Sequence, residues 1–474
     1  MKELNRVNVD SSMRKEKVLM FGEGNFLRAF AAFLIQKLND AGVFDGGIVV
    51  LQGTTQGTAE LINNQQGLYH VIERGMENGK VIDRTTLINI VNRCINPYTD
   101  YKAYLETAKN PDLQLIISNT TEFGICYSEN ENIEKKIHEN FPAKLTDFLH
   151  KRFLHFKGAM DKGLVILPCE LIDKNADMLK SIVLRYADEW NLGKDFKAWL
   201  NNANLFANTL VDRIVSGYPK NEASEICKSL GYEDKLLDVC EPFFLWAIEA
   251  DSSLSKRLPL DKSNLDVIIT KDLDFYRTRK VRILNGAHTM SVLAGHLSGL
   301  DTVEHMVKDR LFEQYIQKGL FEEIIPAMQG EGLEKYALDV IERFLNPYLN
   351  HKLLSIALNS ISKFKSRVLP SIKDYAHKFK TAPKALSFSL AALIQFYMTG
   401  LGSFVNDEKQ YVDVFFAIKE KCKDDINKTV TAVLDEQLFW GEKLTAVNGL
   451  ADLVTRFLGL IRQGGVRQAI EEII

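Results

Sequence analysis

The 474-residue sequence is poor in cysteine, and none of its six cysteines (Cys94, Cys126, Cys169, Cys227, Cys240, Cys422) falls in a C-x-x-C pair. Scattered thiols fit a reducing compartment better than a disulfide framework. No Cys/His cluster has zinc-ligand spacing, which argues against a zinc alcohol dehydrogenase and leads us to expect no metal. No run approaches the roughly 20 apolar residues of a membrane span, and the polar start MKELNRVNVDSSMRKEK has no apolar signal core. A cytoplasmic protein without a membrane partner is expected. Charge of one sign is also missing. The net charge of −3 argues against nucleic acid as the main partner, while a local site for a small anion stays open. Fixed-period repeats and low-complexity tracts are absent.

What is present is ordinary globular material, 46% hydrophobic and 26% charged, long enough for two domains. Residues 17–21 (KVLMF) read as a buried strand, Gly22-Glu23-Gly24-Asn25-Phe26-Leu27-Arg28 follows, and residues 29–38 have helical amphipathy. Strand, Gly-x-Gly turn and helix make the layout of a dinucleotide site, with glycines for a tight turn and helix amides for a pyrophosphate. This makes Gly22, Gly24, Asn25, Phe26 and Arg28 candidate cofactor contacts. Leu27 stands where a third glycine usually does, so a plain strand-to-helix turn is the alternative.

Residues 47–51 (GIVVL) read as a second strand. Its end normally carries an acid for the adenosine ribose. Here Gln52 stands there, as a ribose contact or as a loop residue. No arginine or lysine follows at once to meet a 2′-phosphate, so NAD is the expected cofactor. Residues 68–72 and 81–90 read as extended segments around a hairpin-like excursion at 75–79. Strands at 113–118 and 163–167 both exit into polar residues, Asn119-Thr120-Thr121-Glu122-Phe123-Gly124 and Pro168-Cys169-Glu170. Ligands bind at such ends in a doubly wound sheet. Asn119 and Thr120 are therefore cofactor candidates, with helix capping as the alternative.

Composition shifts near residue 270, after which long amphipathic runs dominate. The expected fold is α/β: a Rossmann-like doubly wound sheet in residues 1–270, then a mostly α-helical domain in 271–474. That second half opens with RTRKVRILNGAHTM, residues 277–290. At about 100° per residue, Arg277, Lys280, Asn285 and His288 share an arc of about 140°, and Gly286 removes a side chain beside them. A solvated basic face, an Asn-Gly turn and a structural histidine are the bland alternatives.

Lys280, Asn285 and His288 resemble the K-x4-N-x2-H signature of the mannitol dehydrogenase family, the polyol-specific long-chain dehydrogenases. The G-x-G-x-F-x-R run from Gly22 to Arg28 and the N-x-x-V-D-R run from Asn208 to Arg213 resemble the same family. The resemblance implies that Lys280 is the general acid/base and that Asn285 and His288 orient and polarise the reacting oxygen. It implies further that Asn175 helps form the oxyanion pocket, although Asn175 also reads as a helix N-cap. Asp212 and Arg213 would shape the substrate site, or form a structural ion pair. Arg277 stands where the mannitol branch has an acid, which suits a substrate carboxylate. SNTTEFGI is similar to the uronate-reducing branch. The implied activity is metal-free, NAD-dependent reduction of a hexuronate keto group to an aldonate in hexuronate (galacturonate) breakdown. The alternatives are a mannitol-type polyol dehydrogenase and a non-enzymatic nucleotide sensor on a dinucleotide fold. The oligomeric state stays open.

Overall fold

Six short apolar runs pair as parallel strands in the computed structural model, which describes residues 1–120 and 124–474. They are β1 (Glu16–Phe21), β2 (Gly47–Leu51), β3 (Val91–Ile95), β4 (Leu115–Ser118), β5 (Val165–Pro168) and β6 (Leu205–Phe206). Their order across the sheet is β3-β2-β1-β4-β5-β6, the Rossmann arrangement with its switch point between β1 and β4. Both faces are covered, so the central strands are mostly apolar instead of alternating, while the edge strand β3 carries Asn92 and Arg93. Val18 and Met20 pack on one face with Phe30, Phe33 and Trp246. Leu19 and Phe21 pack on the other with Phe148, Tyr186 and Trp199.

Helix α1 follows β1 directly, over Asn25–Leu27, a π-helical turn at Arg28–Ala32, and Phe33–Asp40. On the opposite face lie α2 (Phe141–His155) and α3 (Asn175–Glu189). Two smaller sheets, and a two-stranded pairing of Lys2–Glu3 with Tyr232–Glu233, complete this part. One joins Thr209–Asp212, Leu245–Glu249 and Asp266–Thr270. The other joins Val215–Gly217, Asp238–Cys240 and the hairpin Tyr69–Glu77/Lys80–Ile88.

The chain forms two compact units. One comprises Met1–Arg74 and Ile82–Leu273, the other Gly75–Val81 and Asp274–Ile474. The hairpin tip thus belongs with the second unit, where the Gly79 amide donates to the Glu342 carboxylate. Elsewhere the described residues of that unit are helical. Its first long helix, α4, runs through Leu273–Arg279, a π-helical turn at Lys280–Asn285, and Gly286–Leu297. The core of the unit centres on α5 (Lys384–Gly400), buried nearly all round and packed against α6 (Leu450–Glu471). The first amides of α5 donate to Glu323 at 2.7 and 2.9 Å, and burial pushes that carboxyl up to about 7. Among the described residues, no helix is long and apolar enough to cross a membrane.

Candidate active site

The glycine turn has the shape a dinucleotide needs. Gly22 has φ +117°, and its amide donates to Leu51 O at 2.9 Å. A Cβ there would lie 2.9 Å from Asn119 O, so β1 and β4 meet across a residue that has to be glycine. Gly24 precedes α1, and a Cβ on it would meet nothing within 4 Å. No side chain caps the first amides of α1. Open space before uncapped amides at the positive end of a helix fits a pyrophosphate. Asn25 is exposed beside this space, and Phe26 lies half-buried, stacked on Phe30 at 4.8 Å.

Four expected cofactor contacts are committed elsewhere. Arg28 turns into the protein: it donates to Leu236 O and Asn25 Oδ1, both at 2.6 Å, and lies 3.5 Å from Asp238. Burial pushes the Asp238 carboxyl up to about 7 against the pull of Arg28. Gln52 is buried. Its Nε2 donates to Thr54 O at 2.7 Å and its Oε1 accepts from Ala59 N at 3.1 Å, so it shapes the loop after β2. Asn119 donates its side-chain amide to Cys169 O at 2.8 Å. Thr120 gives its amide and hydroxyl to Glu170, at 3.0 and 2.9 Å. Glu170 also accepts from Ser118, and burial pushes its carboxyl up. The exits of β4 and β5 are thereby sewn together beside Gly22, while the expected contacts at 121–123 lie outside the described residues.

Asn175 corrects another expectation. It is the first residue of α3 and is buried. Its Nδ2 donates to Pro168 O, Glu170 O and Thr209 O at 3.0–3.2 Å, and its Oδ1 accepts from Thr209 N and Ala176 N. A carboxamide used this fully has no hydrogen left for a substrate oxygen. Asn208, whose Oδ1 accepts from Ala176 N and Asp177 N, caps α3 instead. Arg213 is also turned inward, donating to Glu241 O, Ala29 O and Glu73, at 2.9, 2.7 and 3.0 Å. Its acidic partner is Glu73, and Asp212 ends a buried strand. The π-helical turn of α1 explains part of this. Such a turn interrupts the α-helical ladder, and here Ala29 O is taken by Arg213 and Arg28 O by Tyr69 Oη.

The second unit carries the lysine motif on the π-helical turn of α4. In an α-helix, five residues rotate by about 140°. In a turn closed by i→i+5 bonds the winding is wider, so residues five apart lie closer to one face than in an α-helix. Gly286 N donates to Val281 O in this way, and Asn285 follows Lys280 by the same interval. Gly286 is helical and is not a turn residue; a Cβ on it would make ordinary contacts, the nearest 3.5 Å from Arg367 O. His288 stacks on Phe344, ring centroids 4.1 Å apart. Burial first, then the charges of His351, Arg343, Arg367 and Lys363, hold its pKa well below the usual histidine value, so the imidazole is neutral. Lys363 donates to Ile356 O at 2.8 Å, and Arg367 approaches Thr289 Oγ1 at 3.4 Å. Arg282 points away, to Ser371 and Asp374. Arg277 pairs with Asp274.

Two family models match the chain in succession: the mannitol dehydrogenase Rossmann domain over residues 16–262 and the mannitol dehydrogenase C-terminal domain over 272–460. The chain belongs to the mannitol dehydrogenase family. Its relatives include altronate oxidoreductases of Cronobacter sakazakii, 42% identical over 99% of both chains, and of Shigella flexneri serotype 5b, 41% identical over the whole of both. Two solved structures share the fold. A D-sorbitol dehydrogenase in substrate-free form has TM-score 0.81 at 22% identity, covering 99% of this chain and 100% of that one. The Pseudomonas fluorescens mannitol 2-dehydrogenase ternary complex with NAD and D-mannitol has TM-score 0.65 at 18% identity, covering 99% of each. As a mannitol dehydrogenase family member, the chain is an oxidoreductase acting on CH–OH groups, which removes the nucleotide-sensor alternative.

Within this family fold, the sequence reading missed three polar groups that only tertiary structure brings forward. Glu170 is one. Glu23, inside the glycine turn, accepts from Gly53 N at 2.8 Å. Lys144 lines a pocket of about 280 Å³ at the ends of β1 and β2, with Phe21, Leu51, Gln52 and Thr120. It donates to Tyr98 Oη at 2.8 Å, and burial lowers its pKa to about 8. Position alone signalled Glu170, just past β5, and Glu23, within the glycine turn; Lys144, inside α2, carried no such signal. Among the described residues, no group of three or more His, Cys, Asp or Glu side chains could hold a metal ion.

Proposed function

We propose that the chain is an NAD-dependent, metal-independent oxidoreductase that reduces the keto group of tagaturonate to altronate, reversibly, with Lys280 as general acid/base. The names of relatives more than 40% identical along their whole length support the substrate. The observation that supports the chemistry is the π-helical turn over Lys280–Asn285, which carries both motif residues, with the neutral His288 three residues on.

The bound dinucleotide would supply the hydride. Lys280 gives a proton to the oxygen that gains negative character, and takes it back in the oxidation direction. Asn285 donates an amide hydrogen to the same oxygen. His288, kept neutral, hydrogen-bonds a neighbouring hydroxyl without adding charge. Lys363 and Arg367, both half-buried and both acting on His288, draw the carboxylate that separates a uronate from a neutral sugar. Arg277 is a further candidate for that carboxylate. Its pair with the exposed Asp274 is of a kind worth about 0–1 kcal/mol and so exchangeable.

The test is turnover of NADH by purified protein with tagaturonate, fructuronate and fructose. Preference for tagaturonate is expected. Preference for fructose would reject the carboxylate reading, and preference for fructuronate would move the chain to the neighbouring uronate reductase.

A further inference from the structure

The acid that NAD sites keep at the end of the second strand is absent here, and its replacement Gln52 is buried and committed to the backbone of residues 54–59. A carboxylate reaches the same place from the other side. Glu23 lies between the two glycines of the first turn, yet its Oε2 accepts from Gly53 N at 2.8 Å, one residue past Gln52. Its Oε1 lies against the returning loop: a Cβ on Gly57 would come within 2.2 Å of it. Around the ends of β2 and β3, burial first and then this charge raise the Cys94 thiol, and the charge adds to the burial that raises the Tyr98 phenol. The open cleft there, about 910 Å³, is lined by Gln52, Thr55, Gly57, Cys94 and Asn96.

We infer that Glu23 sets cofactor choice: its carboxylate meets the adenosine ribose hydroxyls beyond β2 and repels a 2′-phosphate. This rests on the dinucleotide reading above and adds the residue that makes it NAD and not NADP. An acid at the end of the second strand accepts from the ribose 2′-hydroxyl. An acid inside the glycine turn, folded back onto the amide after that strand, serves the same hydroxyl and also holds the loop that flanks it. A phosphate on that oxygen meets a fixed negative charge in a partly desolvated cleft, where repulsion exceeds its value in bulk water.

Glu23→Gln separates charge from latch, because an amide oxygen still accepts from Gly53 N. NADH and NADPH binding are followed by quenching of protein fluorescence, with adenosine 2′,5′-bisphosphate and AMP as competitors. Wild-type protein is expected to bind NADH at least about tenfold tighter than NADPH. In Glu23→Gln that ratio should shrink about tenfold or more, with stronger competition by the 2′-phosphate compound. If the variant weakens both dinucleotides by one factor and leaves the ratio in place, Glu23 is a loop latch and the inference is overturned. Wild-type protein that binds neither dinucleotide overturns the dinucleotide reading itself, and this inference with it.

Discussion

The imidazole of His288 lies flat on the ring of Phe344, 4.1 Å between centroids and 19° from parallel. The contact excludes water from one face of the histidine, and burial with nearby cations holds it neutral. Its folded pKa is below that of the unfolded chain, so the two states bind protons alike at high pH. As pH falls below about 6.5, the unfolded chain takes up a proton that the folded one refuses, and stability is lost down to the folded pKa. Replacing His288 with Gln removes this contribution. The loss of thermal midpoint between pH 7.5 and 5.5 should be smaller in the variant than in wild type; an equal or larger loss would show that His288 is not held neutral.

Lys280→Ala tests the proton transfer directly. Loss of a general acid/base should lower kcat by about 10²–10⁴-fold, while NADH binding, followed by fluorescence, changes little. Partial rescue by added small amines, scaling with their basicity, would mark the missing group as a proton carrier. Near wild-type turnover in the variant would remove Lys280 from the chemistry.

The elements read from the sequence were those whose cause is local. The runs KVLMF and GIVVL are strands because a sheet covered on both faces needs nothing but apolar side chains, and Gly22 is legible because its turn demands a residue without Cβ. What could not be read depends on partners distant in sequence. Arg28 and Arg213 look like site residues beside a glycine turn, yet they answer to Leu236, Asp238 and Glu73. Glu23 reads as the spacer of a motif until the loop after β2 folds onto it. The interval from Lys280 to Asn285 was legible as a motif, but its geometry was read on α-helical angles. On the π-helical turn, residues five apart lie closer to one face than those angles gave.

Asn175 provides a second separation of structure from chemistry. Its carboxamide joins the exit of β5, the start of α3 and the strand at Thr209 through three carbonyls and two amides. Asn175→Ala leaves buried polar groups unpaired, at about 1–3 kcal/mol, so the denaturant midpoint should fall. The kcat of the folded fraction should stay within a few-fold of wild type. A fall of about 10²–10³-fold, the loss expected for an oxyanion donor, would return Asn175 to the reacting oxygen.

Arg213 and Glu73 form a buried pair, with the arginine side chain fully enclosed and the glutamate at 4% exposure. The guanidinium also holds Ala29 O, the carbonyl at the π-helical turn just beyond the glycine loop. Arg213→Met keeps volume but strands all three acceptors, Glu241 O, Ala29 O and Glu73. Removal of one partner from such a pair costs up to about 3–5 kcal/mol, and Arg84, 3.4 Å from Glu73, retains part of the compensation. The expected outcome is a large drop in the denaturant midpoint, partly restored in the double variant with Glu73→Gln. If Arg213 instead held the substrate, the single variant would raise KM for the uronate at unchanged stability, and the second substitution would restore nothing. Measuring stability and KM on the same three proteins decides between a brace beneath the dinucleotide turn and a hand on the substrate.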